Sequence, residues 1–331
     1  MVSHDHGTAT QTGRVLTPSR LQRTSQLPSS KNPSNDGAFN DDIPMNAGTN
    51  AHEQDDEAEF EAKQPSPLGQ EAPEIIDEAS KIGAKRLYRP LVGDAITAFA
   101  GGMSVSFGAI AMIMAAAAVG GGVDSPSIAL LVGSLVFPVG FIILLVGKTE
   151  LFTENFLLPV AAVIKGRGNI RQLGSLWAVT LSFNLLGCLT FAFLISREQV
   201  LAPEPVEEMI ALATHSIDYN LGTAFVKAVF AGWLMTTLTW LLVAAVGFGP
   251  RIAVIWAIGA LIVLGQFNHV VISAAEIFMA MFLGGDISID EWITRSFLPA
   301  LAGNLVGGLV FETLLQYVQS LFHDPDEHNA S

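Results

Sequence analysis

One histidine of this sequence stands at the end of a long apolar stretch, where a titratable side chain is costly. His269 closes the polar interruption Gly265-Gln266-Phe267-Asn268-His269, which follows the apolar run 252–264. Ionisable residues at membrane depth usually line a route for solute or protons, and an imidazole can donate a hydrogen bond or a proton to an anion. A buried structural histidine is the alternative. The adjacent interruption favours the functional interpretation.

A second polar interruption lies in the first half of the sequence. The apolar run 130–146 is followed by Gly147-Lys148-Thr149-Glu150-Leu151-Phe152-Thr153-Glu154-Asn155. Irregular backbone survives at membrane depth only where protein or water satisfies its hydrogen bonds, so both interruptions are predicted to line a pathway. Lys148 either attracts anions there or forms, with Glu150 and Glu154, a charged cluster at the membrane interface.

The residues around these interruptions have the composition of a membrane protein. The 331 residues are 50% hydrophobic and 15% charged, whereas soluble globular chains carry about 25% charged residues. Asp, Glu, Lys and Arg are absent from 95–123, 125–147, 172–196, 228–250, 252–275 and 296–311. Because a spanning helix needs about 20 apolar residues, these intervals predict six transmembrane helices, the last of which runs past Glu312.

The distribution of basic residues predicts the orientation. Lys and Arg are concentrated before the first span and in the loops after spans two and four, while the loops 119–126, 197–220 and 285–294 contain few of them. Basic loops face the cytoplasm, so we expect a multi-pass protein of the plasma (inner) membrane with both termini cytoplasmic. The net charge of −14 argues against nucleic acid as a partner and leaves the lipid bilayer as the expected surroundings.

Composition also divides the chain into a polar tail and a membrane domain. Residues 1–71 are polar, and such a segment buries too little apolar surface to fold, so we predict a disordered cytoplasmic tail. Residues 72–89 carry apolar residues at helical spacing and predict an amphipathic helix, which either packs against the membrane domain or covers a pore mouth. The membrane domain occupies 90–322, and 323–331 form a cytoplasmic C-terminal tail.

Two short motifs recur in the membrane domain. Phe99-Ala100-Gly101-Gly102 is echoed by Phe230-Ala231-Gly232-Trp233, and Asn184-Leu185-Leu186-Gly187 by Asn304-Leu305-Val306-Gly307. Both pairs relate spans one to three to spans four to six, and because three is odd the second copy must be inverted. Inverted repeats with broken helices are typical of transporters and channels. Spans two and five are therefore predicted to be broken, with the break at Thr153 matching the break at His269.

These segments resemble a known family. Phe137-Pro138-Val139-Gly140 with Glu150-Leu151-Phe152-Thr153, the triplet Phe267-Asn268-His269 and the segment 299–308 are similar, in order, to signatures of the formate/nitrite transporter family. The resemblance covers about 90–320. It implies an all-α membrane protein with an aquaporin-like inverted repeat of six helices, a homopentamer with one pore per subunit, and transport of small monovalent anions.

The resemblance also implies roles for individual residues. Thr153 falls on the threonine of the family's loop and Leu151 on its leucine. His269 falls on the central pore histidine. Phe137 falls on the aromatic constriction at the cytoplasmic side, and Ile262 lies near the second constriction.

Several positions depart from the better-known members and indicate a divergent branch. Thr236 stands where those members carry an asparagine that faces the histidine, and Asn268 stands where an acid can occur. Lys148 often has glycine as its counterpart. The family's lysine ahead of span four has no clear counterpart, and Asn220 is the nearest residue.

The sequence therefore predicts a transporter or channel for small monovalent anions such as formate or nitrite, with protons as a second partner that His269 shares or donates. A pore for small neutral solutes is the alternative, because Thr236 and the missing lysine would weaken anion attraction. A membrane enzyme would need a ligand cluster or a nucleophile with its base, and the single Cys188 and one intramembrane histidine supply neither. We expect no enzyme activity, no cofactor and no metal.

Overall fold

The computed structural model describes residues 70–120 and 126–322. The polar tail predicted for 1–71, except for its last two residues, and the tail predicted for 323–331 lie outside the described residues. Within the described ranges the chain forms helices and connecting turns, with no strand.

The helices follow one another in two sets. They are α1 (Ala72–Leu87), α2 (Leu91–Gly120), α3 (Pro126–Val136), α4 (Pro138–Val146), a 3-10 helix (Phe152–Phe156), α5 (Leu158–Ile164), α6 (Ile170–Ile195), α7 (Pro203–Asp218), α8 (Leu221–Ala244), α9 (Phe248–Leu264), α10 (Val270–Phe282) and α11 (Ile289–Leu321). α11 contains π-helical turns at Trp292–Phe297 and Gly307–Leu314.

Broken second and fifth spans are confirmed. Among the described residues, five helices are long and apolar enough to cross a membrane: α2, the stretch Ile128–Val146 within α3 and α4, α6, α8 and α11. The second span is interrupted after α4 and resumes as the 3-10 helix and α5. The fifth span is divided into α9 and α10. The fold is therefore the expected all-α inverted repeat with two broken helices.

Each half begins with an amphipathic helix, although the sequence analysis placed a helix only in the first half. α1 and α7 are each 16 residues long and precede α2 and α8, the first spans of the two halves. Residues 197–220 were predicted to form a loop with few basic residues, yet α7 within this range buries Met209, Ala213 and Ile217, which recur every four residues along one helix face. The repeating unit is thus four elements long: one amphipathic helix and three spans.

α1 is held tightly against the second span. Ile75 and Ile76 pack with Leu157 and Leu158 in one apolar cluster. Gly83 permits the close approach, because a Cβ at this position would lie 1.9 Å from the carbonyl oxygen of Leu158. α1 is therefore a packed part of the membrane domain.

Glycines fix the crossings of the two halves and correct the register of the repeat. A Cβ on Gly102 would lie 2.1 Å from the carbonyl oxygen of Asn184, and a Cβ on Gly232 would lie 2.2 Å from that of Asn304. Gly102 is therefore the counterpart of Gly232, whereas the motif comparison had paired Gly101 with Gly232. The motif comparison was one residue out because α2 has two consecutive glycines, and Gly101 makes its own close approach, to the carbonyl of Glu150.

Candidate functional site

The two helix breaks have the same backbone. A glycine caps each helix, Gly147 after α4 and Gly265 after α9. The next residue in each case has a left-handed conformation, with φ 60° at Lys148 and 50° at Gln266. The two turns also close with the same hydrogen bond, from Thr149 N to Leu144 O and from Phe267 N to Ile262 O, each 3.0 Å. Counting from these turns makes Leu151 the structural counterpart of His269. The predicted pairing of Thr153 with His269 is thus two residues out.

Two buried asparagines satisfy the backbone that the breaks leave open. Asn184 accepts from Phe152 N at 2.8 Å and donates to the carbonyls of Ala98 and Glu150. In the second half, Asn304 accepts from Val270 N at 2.9 Å and donates to the carbonyls of Ala228 and Asn268. Backbone groups without water need protein partners, so each asparagine locks its break in place.

His269 and Thr153 meet between the two breaks, and both side chains are fully buried. The Nε2 atom of His269 lies 2.9 Å from the Oγ1 atom of Thr153. The Nδ1 atom accepts hydrogen bonds from the backbone N–H groups of Val271 and Ile272, at 3.3 and 3.2 Å, and so caps α10. Because Nδ1 is an acceptor, the proton of the neutral ring lies on Nε2 and is donated to Thr153. The threonine hydroxyl keeps its own proton for a further acceptor.

The other residues proposed from the sequence lie in different surroundings. Leu151 is buried at the first break, and Asn268 accepts a hydrogen bond from Ser273 at the second break. Phe137 is buried and packs edge-on against Phe141, with 5.2 Å between ring centroids. Thr236, which the sequence analysis considered as a substitute for an asparagine facing the histidine, donates instead to the Gly232 carbonyl of its own helix.

A cavity of about 590 Å³ opens beside the first break and α1. We call it the first vestibule. Its charged lining consists of Arg86, Arg89, Lys148 and Arg251 together with Glu78, Glu150 and Glu154. Four basic groups against three acids give this vestibule a slight excess of positive charge.

Most of these charges form a cluster that ties α1 to the first break. Arg86 donates to Glu154 at 3.0 Å and to Asn155 at 2.8 Å, and Arg89 donates to Glu150 at 2.7 Å and also pairs with Asp94. Lys148 lines the same vestibule, and no acid among the described residues pairs with it. The sequence had left open whether Lys148, Glu150 and Glu154 form one cluster. The two glutamates belong to it and Lys148 does not.

A smaller cavity, of about 90 Å³, lies beside α7 and the second break, and we call it the second vestibule. Ile262 and Asn268 belong to its wall, as do Ser273 and Glu276 of α10. Sequence reasoning passed over Glu276, although this residue ends the charge-free interval 252–275 inside an apolar half-helix.

Tyr219, at the C-terminal end of α7, and Lys227 of α8 both bind Gln266, which lines the second vestibule. The hydroxyl of Tyr219 donates to Gln266 Oε1 at 3.1 Å and lies 3.0 Å from His215 Nε2. Lys227 donates to the backbone carbonyl of Gln266 at 3.2 Å and lies over the Tyr219 ring, 4.8 Å from its centroid. Lys227 was also missed from the sequence, where it stands just before the charge-free interval 228–250.

Two inverted halves whose broken helices meet between two vestibules define the class of this protein, a membrane channel or transporter. The chain belongs to the formate/nitrite transporter family, because the family model described as "Formate/nitrite transporter" matches residues 73–318.

Individual relatives agree with this assignment. The chain is 29% identical over 260 residues to the uncharacterized transporter YrhG of Bacillus subtilis (strain 168), and the alignment covers 76% of this chain and 94% of that protein. Its fold is similar to that of a solved FNT family ion channel, with a TM-score of 0.67, 19% identity and coverage of 74% of this chain and 98% of that chain. A pentameric formate channel with formate bound gives a TM-score of 0.61 and 19% identity, with coverage of 70% and 98%. The family and fold expected from the motifs are confirmed.

Proposed function

We propose that this protein carries small monovalent weak-acid anions, such as formate or nitrite, across the plasma membrane, past the pair formed by His269 and Thr153. One observation carries the proposal: the Nε2 atom of His269 and the hydroxyl of Thr153 form a hydrogen-bonded donor pair at 2.9 Å where the two breaks meet. Membership of the formate/nitrite transporter family and the likeness to a formate channel support this class of substrate.

The first vestibule attracts the anion. Arg251 and Lys148 line it, and neither is part of the cluster that joins α1 to the first break. Unpaired cations at the mouth of a narrow cavity raise the local anion concentration, and this effect weakens as salt screens the charges. Leu151 at the first break and Ile262 in the wall of the second vestibule are buried apolar side chains, so the anion must leave its water before it reaches His269.

The substrate can cross the membrane as the neutral acid or as the anion, and the free-energy costs of the two forms are comparable. Protonating a carboxylate of pKa about 4 at neutral pH costs about 4 kcal/mol, and a charge at the centre of a membrane helix costs about 3 kcal/mol on insertion scales. A group that shares a proton with the anion lowers both costs. A hydrogen bond donated at the apolar centre of the pathway therefore aids either form.

The hydrogen bonds of His269 argue against the hypothesis that its ring gives a proton to the anion. Its Nδ1 atom accepts two backbone N–H bonds, and an imidazolium ring would have to give these bonds up in order to carry a proton there. We therefore propose that the neutral ring orients Thr153, and that the Thr153 hydroxyl donates the hydrogen bond to the passing anion.

We further propose a homopentamer with one pathway per subunit, with both termini and the first vestibule on the cytoplasmic side. Basic residues around α1 and the first vestibule support this orientation. Native mass spectrometry from a mild detergent tests the assembly. A five-subunit mass is expected, and a stable monomer or tetramer would overturn the pentamer.

Uptake into proteoliposomes tests the function. Liposomes that hold the purified full chain are given labelled formate, nitrite, acetate or glycerol, with and without an inward proton gradient. We expect anion uptake well above empty liposomes, and stimulation by the gradient. Uptake of glycerol without uptake of any anion would contradict the proposal and favour the neutral-solute pore.

A further inference from the structure

Glu276 is an acid within the second vestibule that the donor pair does not use. It lies on α10, seven residues after His269, which corresponds to about 10 Å along a helix. Its side chain lines the vestibule and has no hydrogen-bond or ion-pair partner among residues 70–120 and 126–322. Acids inside membrane helices are costly and rarely lack a role.

Polar side chains lie between Glu276 and the donor pair of His269 and Thr153. Ser273 lies one turn before Glu276 on the same face of α10, and its hydroxyl donates to Asn268 Oδ1 at 2.8 Å. Asn268 directly precedes His269, and all three of Asn268, Ser273 and Glu276 line the second vestibule. The vestibule, at about 90 Å³, has room for about three waters or one small anion.

The repeat shows that the scaffold does not require this acid. Counted from the break, the counterpart of Glu276 is Leu158, seven residues after Leu151 and in the lining of the first vestibule. Leucine at the equivalent position indicates that an apolar side chain satisfies the packing there. The carboxyl group of Glu276 is thus an addition made in one half only.

The groups around Glu276 leave its proton free to exchange. α7 contributes His215 and Tyr219 to the same wall, and these two interact with each other and with Gln266. Burial raises the pKa of the Tyr219 phenol, so Tyr219 stays neutral. Lys227 of α8 is bound to the Gln266 carbonyl.

The remaining helices packed on α10 bring little charge to this place. α2 and α6 carry only Asp94 and Arg171, both at the ends that lie towards α1. α11 packs on α10 through Trp292, which contacts Phe278, and its Arg295 is exposed. Glu276 is therefore the acid of this vestibule, with His215 as the one rival for proton exchange on the same wall.

We propose that Glu276 is the proton-exchange group of the pathway and that it protonates weak-acid anions in the second vestibule. This inference rests on the proposed transport function. The O–H bond of the Glu276 carboxyl breaks, an O–H bond forms on the anion, and the resulting neutral acid moves on to Thr153. The carboxylate that remains takes a proton from water on the α7 side of the membrane. The Thr153 hydroxyl, which His269 orients, supplies the hydrogen bond, and Glu276 supplies the pH dependence.

The test is formate uptake at several pH values by wild type, E276Q, E276D and two controls. E208Q removes an exposed acid from α7, and H215Q removes the rival group. Wild type, E276D, E208Q and H215Q should all gain rate as the pH falls. E276Q should lose this response, with rates at pH 5.5 and pH 7.5 that agree within about twofold.

The outcomes separate this inference from the proposed function. If wild type takes up formate and E276Q keeps the wild-type pH profile, or if H215Q alone abolishes it, the inference is wrong and the function stands. Faster uptake by E276Q with an unchanged pH slope also overturns it, because Glu276 would then only repel anions. If wild type carries no anion, the proposed function itself fails.

A second measurement covers the case in which E276Q does not assemble. Dicyclohexylcarbodiimide reacts with protonated carboxyl groups in apolar surroundings, so it should label Glu276 in the wild-type protein, and mass spectrometry locates the label. Labelling that decreases as the pH rises, and that excess formate slows, supports the proposal. Absence of label on Glu276 at pH 5.5 would overturn it.

Discussion

The break after α4 and the break after α9 differ in their side chains much more than in their backbones. Both have a glycine cap, a left-handed residue and an asparagine clamp. At equivalent positions the first break has Lys148, Glu150 and Leu151, and the second has Gln266, Asn268 and His269. The repeat thus supplies two copies of one frame, and a few replaced side chains give each copy its chemistry.

The surroundings of the two breaks differ in the same way. Charged pairs from Arg86 and Arg89 tie α1 to the first break, whereas α7 reaches the second break through the neutral contact between Tyr219 and Gln266. In the proposed function, the first vestibule therefore attracts anions by charge. The second vestibule, with one unpaired acid, is suited to exchanging protons.

The largest effect is expected on the free energy of unfolding when the asparagine of either break, Asn184 or Asn304, is replaced. The two replacements test whether the two breaks depend equally on their asparagines. Asn184→Leu and Asn304→Leu each remove three hydrogen bonds from buried backbone. Unsatisfied buried groups cost about 1–3 kcal/mol each, so we expect the free energy of unfolding to fall by about 4 kcal/mol or more in either variant. Thermal unfolding in mild detergent measures it. A large loss in one variant only would show that the frames are not equivalent.

A smaller effect on stability is expected from the ion pairs that join α1 to the first break, which have no counterpart at the second break among the described residues. Arg86→Gln leaves Glu154 buried without its guanidinium partner, and breaking a buried pair costs about 3 kcal/mol. Lys81→Gln is the matched control, because its pairs with Asp77 and Glu78 are exposed and such pairs contribute about 0–1 kcal/mol. Equal shifts in the unfolding temperature of the two variants would contradict the role given to Arg86.

Lys148 distinguishes the vestibules by charge alone. Lys148→Gln gives the first break the side chain of the second, and loss of the cation should lower formate uptake about threefold at low salt and much less at high salt. Initial rates at two ionic strengths measure this. Gln266→Lys is the reciprocal change, and it should not restore the rate because it acts in the other vestibule.

The smallest effect concerns Asp77, at the outer edge of α1. Hydrogen bonds from Lys81 and Arg167 hold the pKa of the Asp77 carboxyl below its usual value. A lowered folded pKa contributes stability above the unfolded pKa of about 3.9, and this contribution is lost as the pH falls through the folded value. Asp77→Asn should lower the unfolding temperature slightly at pH 7 and by less at pH 3. An equal difference at both pH values would contradict this linkage.

The spans and breaks could be predicted from the sequence because charge-free intervals and polar interruptions follow directly from the cost of burying charge. The exact register of the repeat could not be predicted, because Gly101 and Gly102 are equally small and only the contact with Asn184 distinguishes them. The helix α7 was not predicted, because its acidic residues are also typical of a loop. Arg86 was interpreted only as a sign of orientation, since its pairing with Glu154 joins residues 68 positions apart.

The central claim is that the pair of His269 and Thr153 is the transport site, and formate uptake by His269→Asn tests it most directly. Asparagine can still cap α10, but it is too short to take the place of Nε2 beside Thr153. We predict that this variant assembles normally, that its uptake falls at least about tenfold, and that the remaining uptake keeps the wild-type pH profile. Uptake at the wild-type rate would show that His269 is a structural cap and would contradict the account.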